Sequence, residues 1–247
     1  MSAATVPAPV TDSGRDDLAL ELRDVRAGYG TITVLRGVDL CVPFGSLVAL
    51  LGPNGGGKST ALRVVAGGLP PSGGDVFVAG RRTTGADPDE LARHGVCLIP
   101  EGKGIFPNLS VRENLWIATH SGTALKQIEE IAYGRFPILG QRRRQLAGHL
   151  SGGEQQMLAM SRALATDPAL LLLDELSMGL APIVVEQLYE IVAQVAAEGV
   201  SILVVEQFAR AVLGIADWVG IMVRGRISHF GTPAAMEAVL STAYLGE

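Results

Sequence analysis

Cysteine is scarce in this chain, whose 247 residues contain only two, Cys41 and Cys97, each inside an apolar, strand-like run. This pattern predicts two buried thiols rather than a disulfide or a metal site, and it fits a protein of a reducing compartment. No apolar run approaches the roughly 18 residues that a membrane span requires, so we expect a soluble chain. Residues 1–17 lack the basic start and apolar stretch of a secretory signal, and their composition predicts a flexible tail.

The chain also lacks an excess of basic residues. Its 20 Lys and Arg against 25 Asp and Glu give a net charge of −5, which argues against nucleic acid as a partner. The basic triplet Arg142–Arg144 is interpreted as a solvated helix face. With 48% hydrophobic residues and a mean hydropathy of +0.32, the chain is expected to fill a sizeable core. The histidines have no metal-ligand spacing, which argues against a metal site built from His94, His120, His149 and His229.

The pattern of apolar residues predicts an α/β protein with two additions. Short alternating runs with turns fill residues 18–42 and predict an antiparallel β-layer. Residues 104–165 carry helical patterns without a strand between them, which predicts an all-helical subdomain. The later runs Leu170–Leu173 and Ile202–Val205 are apolar throughout, as expected for parallel strands covered on both faces. The last strand-like run is 218–227.

A glycine-rich loop at residues 52–59, GPNGGGKS, follows a buried strand-like run and precedes a helical pattern at Lys58–Ala66. It fits G-x-x-x-x-G-K-[ST], in which glycines let several backbone N–H groups face one anion and the next helix adds its positive end. Lys58 is expected to reach the β- and γ-phosphates, and the Ser59 hydroxyl to ligate Mg²⁺. The alternative is an ordinary glycine turn. The predicted nucleotide-binding residues of this loop are Gly52, Pro53, Asn54, Gly55, Gly56, Gly57, Lys58, Ser59 and Thr60.

A phosphate site of this type needs a carboxylate for the metal at the end of a neighbouring buried strand. Asp174 directly follows the run LLLL and is predicted to be that metal ligand. Glu175 is placed to accept a proton from an attacking water or to orient it. Tyr29, upstream of the loop in AGYG, is predicted to stack on an adenine ring, and a plain turn tyrosine is the alternative.

A second glycine pair opens a helix at LSGGEQQ, although a glycine inside a helix costs about 1 kcal/mol. Ser151, Gly152 and Gly153 present a hydroxyl and free N–H groups at a helix start, which suits a phosphate. The first loop already surrounds the phosphates from one side, so the two groups are expected to come from different chains packed head to tail. The alternative is that the glycines ease close helix packing, which the flanking serine and glutamate disfavour.

The stretches GPNGGGKST, LSGGEQQ and LLLLDE, in this order, resemble the ATP-binding subunit of an ABC transporter, and the resemblance covers residues 18–247. It implies a P-loop ATPase with a RecA-like α/β core, an antiparallel β-subdomain and a helical subdomain at about 104–165. It also implies binding of ATP and Mg²⁺, dimerisation on ATP, and hydrolysis. The partners implied are integral-membrane permease subunits, at the cytoplasmic face of the cell membrane.

Two positions depart from that family's general pattern. The loop that usually carries a glutamine, a metal and water contact, has Glu101, and the switch position that usually carries a histidine near the γ-phosphate has Gln207. A glutamate binds Mg²⁺ well but adds negative charge, and a glutamine donates a hydrogen bond but cannot carry a proton. We therefore expect the site to hydrolyse ATP through Glu175, more slowly than the site of a partner chain.

Both departures, together with GIFPNLSVRENL, EQQMLAMSRALA, GLAP and the terminal AYLGE, resemble one subgroup of the family. It is the shorter ATPase subunit of branched-chain amino acid importers, with relatives that import urea or short amides. This resemblance implies a second ATPase subunit, which the family pattern makes a different chain, with a second copy of this chain as the alternative. Indirectly, it also implies a solute-binding protein. A non-transport protein acting on ribosomes or DNA is disfavoured, because such proteins generally carry two cassettes or coiled-coil insertions. A module that binds ATP without splitting it is disfavoured by Glu175.

Apolar residues just after the metal-contact loop lie where the family places its groove for the permease. Phe106 and Pro107 fall in a loop and are predicted to dock there. Leu115 and Trp116 have helical spacing, so the core of the helical subdomain is the alternative for them.

Overall fold

The chain folds into two β-sheets with helices around them. The computed structural model describes residues 17–102, 104–207, 212–236 and 239, so residues 1–16 of the expected tail lie outside the described part. The strands are β1 (Leu18–Tyr29), β2 (Ile32–Pro43), β3 (Leu47–Leu51), β4 (Gly73–Val78), β5 (Arg81–Arg82), β6 (Val96–Ile99), β7 (Leu170–Asp174), β8 (Ser201–Glu206), β9 (Trp218–Val223) and β10 (Arg226–Gly231). The helices are α1 (Lys58–Val65), α2 (Pro88–Arg93), α3 (Val111–Ile117), α4 (Leu125–Arg135), α5 (Pro137–Gln141), α6 (Gly152–Leu164) and α7 (Pro182–Ala197).

A four-stranded antiparallel sheet, in the order β2-β1-β4-β5, is built on one long hairpin. Strands β1 and β2 pair along their whole length, and the chain reverses between Tyr29 and Ile32 at Gly30, whose φ is +57°. The predicted antiparallel layer is therefore confirmed. The separate short runs visible in the sequence are segments of these two strands, which contain several register shifts.

The six-stranded sheet, in the order β10-β9-β3-β8-β7-β6, lies at the centre of the molecule, and all its pairs are parallel except β9 with β10. Every residue of β3, β7 and β8 is buried. Leu47 and Leu51 belong to the hydrophobic cluster on one face, and Val48 and Leu50 to the cluster on the other. Burial of a valine or leucine side chain contributes about 1.5–3 kcal/mol, so both faces select apolar residues. This confirms the prediction of doubly covered strands.

Helices α3 to α6 follow one another between β6 and β7, and no strand of either sheet interrupts them in the described chain. They pack on one another around Leu115, Ile128 and Leu139, in the same cluster as one face of the central sheet. The limits of a helical subdomain at about 104–165 remain a prediction. Across the part of the chain that the structure describes, no helix has the length and apolar character needed to cross a membrane.

The last strand-like run of the sequence is not one strand. It divides at Arg224 and Gly225, whose φ values are +50° and +79°, into the antiparallel hairpin of β9 and β10. Two consecutive residues with positive φ are the geometry of a tight hairpin turn, and glycine at the second position favours it.

Two further expectations need correction. Cys41 and Cys97 are free thiols but only half-buried. Cys41 alternates with the buried Leu40 and Val42, so it lies on the less covered face of β2, and Cys97 borders a cavity. Burial nevertheless raises the pKa of Cys41 to about 11. The triplet Arg142–Arg144 does not form a helix face, since it lies in the turn that follows α5.

Candidate functional site

Four neighbouring parallel strands, β3, β8, β7 and β6, end at the same edge of the central sheet. Leu51 pairs with Glu206, and Asp174 pairs with Val205, so the residues that follow these strands emerge side by side. The glycine loop, Glu175, Gln207 and the turn containing Glu101 therefore lie at one edge. Ligands of open α/β sheets bind at this carboxyl edge.

The glycine loop is held in a shape that larger residues cannot adopt. A Cβ placed on Gly52 would lie 2.1 Å from the carbonyl oxygen of Met222, and one on Gly56 would lie 3.0 Å from the same atom. The Gly56 N–H donates to the Pro53 carbonyl at 3.1 Å, and Gly57, with φ +108°, leads into α1. The loop therefore forms a close-fitting backbone cradle at the N-terminal, positive end of a helix, which suits an anion.

The Lys58 side chain is folded over this cradle and is only 4% exposed. Its Nζ donates to the carbonyl oxygens of Gly52 at 3.0 Å and Pro53 at 3.3 Å. The same nitrogen lies 3.5 Å from Oε1 of Glu175. A buried ammonium needs such partners, and those present here hold the cation beside the loop.

Oxygen donors meet next to Lys58. The Ser59 hydroxyl donates to Oδ1 of Asp174 at 2.9 Å. Burial raises the pKa of Asp174, the Ser59 hydrogen bond and Lys58 lower it, and the charges of Glu175 and Glu101 raise it further. The exposed Glu101 carboxylate therefore lies close enough to Asp174 for its charge to raise the pKa of that residue.

The oxygen atoms of Ser59 and Asp174 suit an open Mg²⁺ site, which is completed by water and phosphate, better than a metal site built from protein ligands alone. Within the described residues there is no group of three or more His, Cys, Asp and Glu side chains arranged around one ion position. Mg²⁺ is usually bound by one or two carboxylates together with water and substrate phosphates, and a hydroxyl beside a carboxylate suits that mode. Ser59 and Asp174 are already in contact, as such a site requires.

Glu175 is held in a strained backbone conformation. Its φ is +48°, a left-handed value that costs a residue with a side chain about 1–2 kcal/mol. Its N–H donates to the Val205 carbonyl at 3.0 Å, and its carboxylate faces Lys58. Strained residues of this kind cluster at functional sites.

Tyr29 lies at the end of β1 and is 43% exposed. Its hydroxyl accepts a hydrogen bond from Nη1 of Arg63 at 3.1 Å, which ties the ring to the last turn of α1. The tyrosine therefore has a hydrogen-bond partner within its own chain, and a plain turn tyrosine stays the alternative to stacking. Sequence reasoning missed Arg63, although it lies one helical turn beyond Ser59, and stacking on adenine stays a prediction.

The second glycine pair opens α6 with a capping box. The Ser151 N–H donates to the Glu154 carboxylate at 2.8 Å, and the Glu154 N–H donates to the Ser151 hydroxyl. Ser151 is exposed, but a Cβ on Gly153 would lie 2.3 Å from Cγ1 of Val184 on α7. Close helix packing, the alternative that the flanking residues disfavoured, therefore gives a reason for a glycine at position 153. A phosphate contact by Ser151, Gly152 and the backbone of Gly153 stays a prediction.

Phe106, in the apolar stretch after Glu101, is held by contacts to helices α3 and α6. Asn114 is buried and donates to the Phe106 carbonyl at 2.9 Å, and it accepts the Phe106 N–H at 2.8 Å. The Arg162 guanidinium lies 4.8 Å from the centre of the Phe106 ring. Leu115 is fully buried, whereas Trp116 is 60% exposed. The core alternative is therefore right for Leu115 and wrong for Trp116, while Pro107 and Phe106 are exposed as the docking prediction requires.

Strand β3 of the parallel sheet runs through a glycine cradle into a helix, and the Asp174 carboxylate lies at the end of β7, with β8 between the two strands. These features define a P-loop α/β nucleoside triphosphatase. Residues 35–177, more than half of the chain, match the ABC transporter family, and the chain belongs to that family. The predicted fold class and the resemblance are thereby confirmed.

Curated relatives support the same assignment. The chain is 39% identical over 232 residues to the high-affinity branched-chain amino acid transport ATP-binding protein BraG of Pseudomonas aeruginosa, covering 92% of this chain and 99% of that protein. It is 36% identical over 216 residues to the probable branched-chain amino acid transport ATP-binding protein LivF of Archaeoglobus fulgidus, covering 85% and 92% respectively.

Solved structures show the same fold. An ATP-binding cassette of an ABC transporter superposes with a TM-score of 0.82 at 27% identity, covering 91% of this chain and 95% of that one. The ADP conformation of such a cassette gives a TM-score of 0.81 at 25% identity, covering 93% and 99%. The chain is therefore an ABC transporter ATPase that binds nucleotide.

Proposed function

We propose that this chain is the ATP-hydrolysing subunit of an importer for branched-chain amino acids. The observation that carries the enzymatic part is the pair of contacts at the sheet edge, Lys58 with Glu175 at 3.5 Å and Ser59 with Asp174 at 2.9 Å. They bring a phosphate-binding cation, a proposed base and two proposed metal ligands into one group. The names of the similar proteins from Pseudomonas aeruginosa and Archaeoglobus fulgidus support the transport part.

Each side chain has a role that its position supports. Lys58 leaves the loop carbonyls for the β- and γ-phosphates, and this movement frees Glu175 to accept the proton of an attacking water. Gln207, half-buried after β8, donates a hydrogen bond towards the γ-phosphate. When bound, Mg²⁺ supplies a positive charge that offsets the developing charge on the phosphate oxygens. Ser59, Asp174 and Glu101 are the ligands proposed for it.

The proposed nucleotide site is completed by a second chain. Ser151 is exposed at the start of α6, a helix that packs on α3, α4, α5, α7 and β6. In the described residues no hydrogen bond joins Ser151 to residues 52–60. We propose that Ser151, Gly152 and Gly153 contact a nucleotide held by the loop of a different ATPase subunit, and that Tyr29 contacts the adenine held by its own chain. Nucleic acid has no role in this proposal.

The proposed location is the cytoplasmic face of the membrane, on permease subunits that receive solute from a binding protein. The exposed Phe106, Pro107 and Trp116 form the proposed docking surface. Phe106 and Pro107 come only a few residues after Glu101. A movement of the permease at this surface would therefore be passed through a short stretch of chain to Glu101, a proposed metal ligand. Import of urea or a short amide is the alternative that the resemblance leaves open.

Hydrolysis is tested by replacing Glu175. The complex that this chain forms in its own cells is purified through a tag on the chain, and phosphate release is measured with Glu175→Gln. We expect ATP to be retained and release from this site to be lost. Glu186→Gln, which alters an exposed carboxylate of α7, is the matched control. Unchanged release by the Glu175 variant would remove it as the base and favour a module that only binds ATP.

Substrate is tested by uptake. Radiolabelled leucine, urea and acetamide are offered to cells that carry the wild-type chain, no chain, or the Glu175→Gln variant. We expect leucine uptake alone to fall in the second and third strains. A fall in urea or acetamide uptake with leucine unchanged would transfer the substrate assignment to the alternative.

A further inference from the structure

A buried carboxylate outside the proposed ATP contacts lies at the end of β8. Glu206 is only 1% exposed. Its Oε1 accepts a hydrogen bond from the Ser177 N–H at 3.0 Å and from the Tyr189 hydroxyl at 2.5 Å, and its Oε2 accepts the Ser177 hydroxyl at 2.7 Å. We call these three residues the Glu206 cluster. Sequence reasoning missed it, although a glutamate that ends the apolar run SILVV was the available signal.

The hydrogen bonds of the Glu206 cluster hold Ser177 and Tyr189 in fixed positions relative to the end of β8. Burial and the neighbouring Glu206 carboxylate raise the pKa of Tyr189 well above its ordinary value, so its hydroxyl remains a donor. No lysine or arginine in the described part of the chain forms an ion pair with Glu206, so hydrogen bonds are its only visible compensation for burial. A buried carboxylate is costly to desolvate, and its three donors make the position of Ser177 well defined.

The two proposed catalytic residues, Glu175 and Gln207, are both close in sequence to members of this cluster. Ser177 is two residues after Glu175, and Gln207 directly follows Glu206. The Glu175 N–H is already bound to the Val205 carbonyl of β8. The short segment from Glu175 to Ser177 is thus attached to β8 at both of its ends.

Glu175 needs such attachment because its backbone is strained. A left-handed φ of +48° in a glutamate persists only where the surrounding structure over-determines it. The main-chain bond to Val205 fixes one end of the segment, and the Glu206 cluster fixes the other, with Tyr189 linking both to α7.

We propose that Glu206 is a positioning residue for ATP hydrolysis, which holds Glu175 and Gln207 in register through its hydrogen bonds to Ser177 and Tyr189. This inference rests on the proposed role of Glu175. Among the described residues, the side-chain hydrogen bonds of Glu206 lead to Ser177 and Tyr189, and none of them leads to the proposed phosphate loop at 52–60. The proposal therefore separates turnover from ATP affinity. A misplacement of about 1 Å at a reacting group can lower a rate about 100-fold.

Three variants divide the possibilities. Glu206→Leu has similar size but accepts no hydrogen bond, and Tyr189→Phe removes one donor. Glu206→Gln keeps an oxygen for the Ser177 N–H and the Tyr189 hydroxyl, while its amide donates to the Ser177 hydroxyl, which also accepts. The control is Glu21→Gln, which changes a buried carboxylate of β1 that is paired with Arg23.

Phosphate release is measured in the assembled complex, and the rate that remains with Glu175→Gln defines the contribution of other sites. Above that level we expect kcat to fall about 100-fold in Glu206→Leu and about 3- to 10-fold in Tyr189→Phe. Glu206→Gln and Glu21→Gln are expected to stay within about threefold of wild type. The affinity of each isolated variant for ATP, measured by calorimetry, is expected to remain within about threefold.

The proposal is overturned if Glu206→Leu turns over at the wild-type rate, or if ATP affinity falls as much as kcat. It is also overturned if Glu206→Gln is as slow as Glu206→Leu, because charge rather than hydrogen bonding would then matter. If Glu206→Leu does not fold, Tyr189→Phe decides by the same two measurements. Normal turnover by Glu175→Gln would instead refute the proposed function, whereas an inactive Glu175→Gln beside a fully active Glu206→Leu refutes this inference alone.

Discussion

Replacement of Gly153 by alanine separates the two explanations of the second glycine pair, because they give opposite signs for stability. Gly153 is buried in the first turn of α6, and an added Cβ would lie 2.3 Å from Cγ1 of Val184. Two carbon atoms in favourable contact are about 3.5–4.0 Å apart. Valine is branched at Cβ and has little rotamer freedom in a helix, so α6 and α7 must separate to admit the methyl group.

The expected magnitude follows from two opposing effects. Overpacking of a well-filled contact costs about 1–3 kcal/mol. Replacing glycine by alanine inside a helix returns up to about 1 kcal/mol. We therefore expect Gly153→Ala to lower the free energy of unfolding by about 1–2 kcal/mol, with a fall in Tm of about 2–4 °C per kcal/mol for a chain of this size. If Gly153 served a phosphate alone, the same substitution would raise the stability of the nucleotide-free chain.

The assay is urea denaturation of the nucleotide-free chain for Gly153→Ala, Val184→Ala and the double variant. In the Val184→Ala background the alanine at 153 is expected to be neutral or stabilising, which gives a coupling energy of about 1–3 kcal/mol. Gly134→Ala is the matched control, since an added Cβ on this exposed glycine of α4 meets no atom within 4 Å. A Gly153 variant that is as stable as the Gly134 variant would refute the packing argument.

Three further outcomes are expected. Tyr29→Ala weakens ATP binding about 3- to 10-fold in calorimetry because the ring is lost, whereas Tyr29→Phe, which loses only the Arg63 bond, changes it less than about threefold; equal effects would contradict stacking. Asp174→Asn raises the Tm of the nucleotide-free chain at pH 7 and does so less as the pH falls towards 3.8. The reason is that burial raises the pKa of Asp174 and so penalises its charged form in the folded state, a penalty absent when the group is protonated; a Tm gain that grows in acid would contradict this. Trp116→Ala shifts the unfolding free energy by less than about 0.5 kcal/mol, since the side chain is 60% exposed, but lowers recovery of membrane subunits with the tagged chain; unchanged recovery would remove Trp116 from the docking surface.

Local sequence patterns predicted the parts of the fold that depend on local chemistry. The run Leu170–Leu173 could be identified as a doubly covered strand because burial on both faces removes polar residues from every position. The glycine loop before Lys58 could be identified because its backbone conformation is available only to a few residue types. In both cases the requirement acts on consecutive residues, so a single sequence displays it.

The contacts that sequence reasoning missed join residues far apart in the chain. Gly153 meets Val184 because α6 and α7 cross there, and neither neighbourhood alone shows the contact. Glu206 meets Tyr189 because β8 and α7 are brought together by the central sheet. Cys97 is half-buried because it borders a cavity that Arg162 and Thr166 also line, and the residues around Cys97 in the sequence do not show this.

The internal contacts of the proposed ATP site have a consequence for its control. Lys58 is bound to loop carbonyls and to Glu175, and Ser59 is bound to Asp174, so each of these groups exchanges an existing partner when it binds a triphosphate. Such exchanges contribute only about 0.5–1.5 kcal/mol per hydrogen bond, because each new bond replaces one that already exists. In the proposed mechanism, this exchange of partners also makes the availability of Glu175 as a base depend on the binding of the triphosphate. In that mechanism, Lys58 over the cradle holds the carboxylate of Glu175 in an ion pair, and only a phosphate that draws Lys58 away leaves that carboxylate free to take a proton from water.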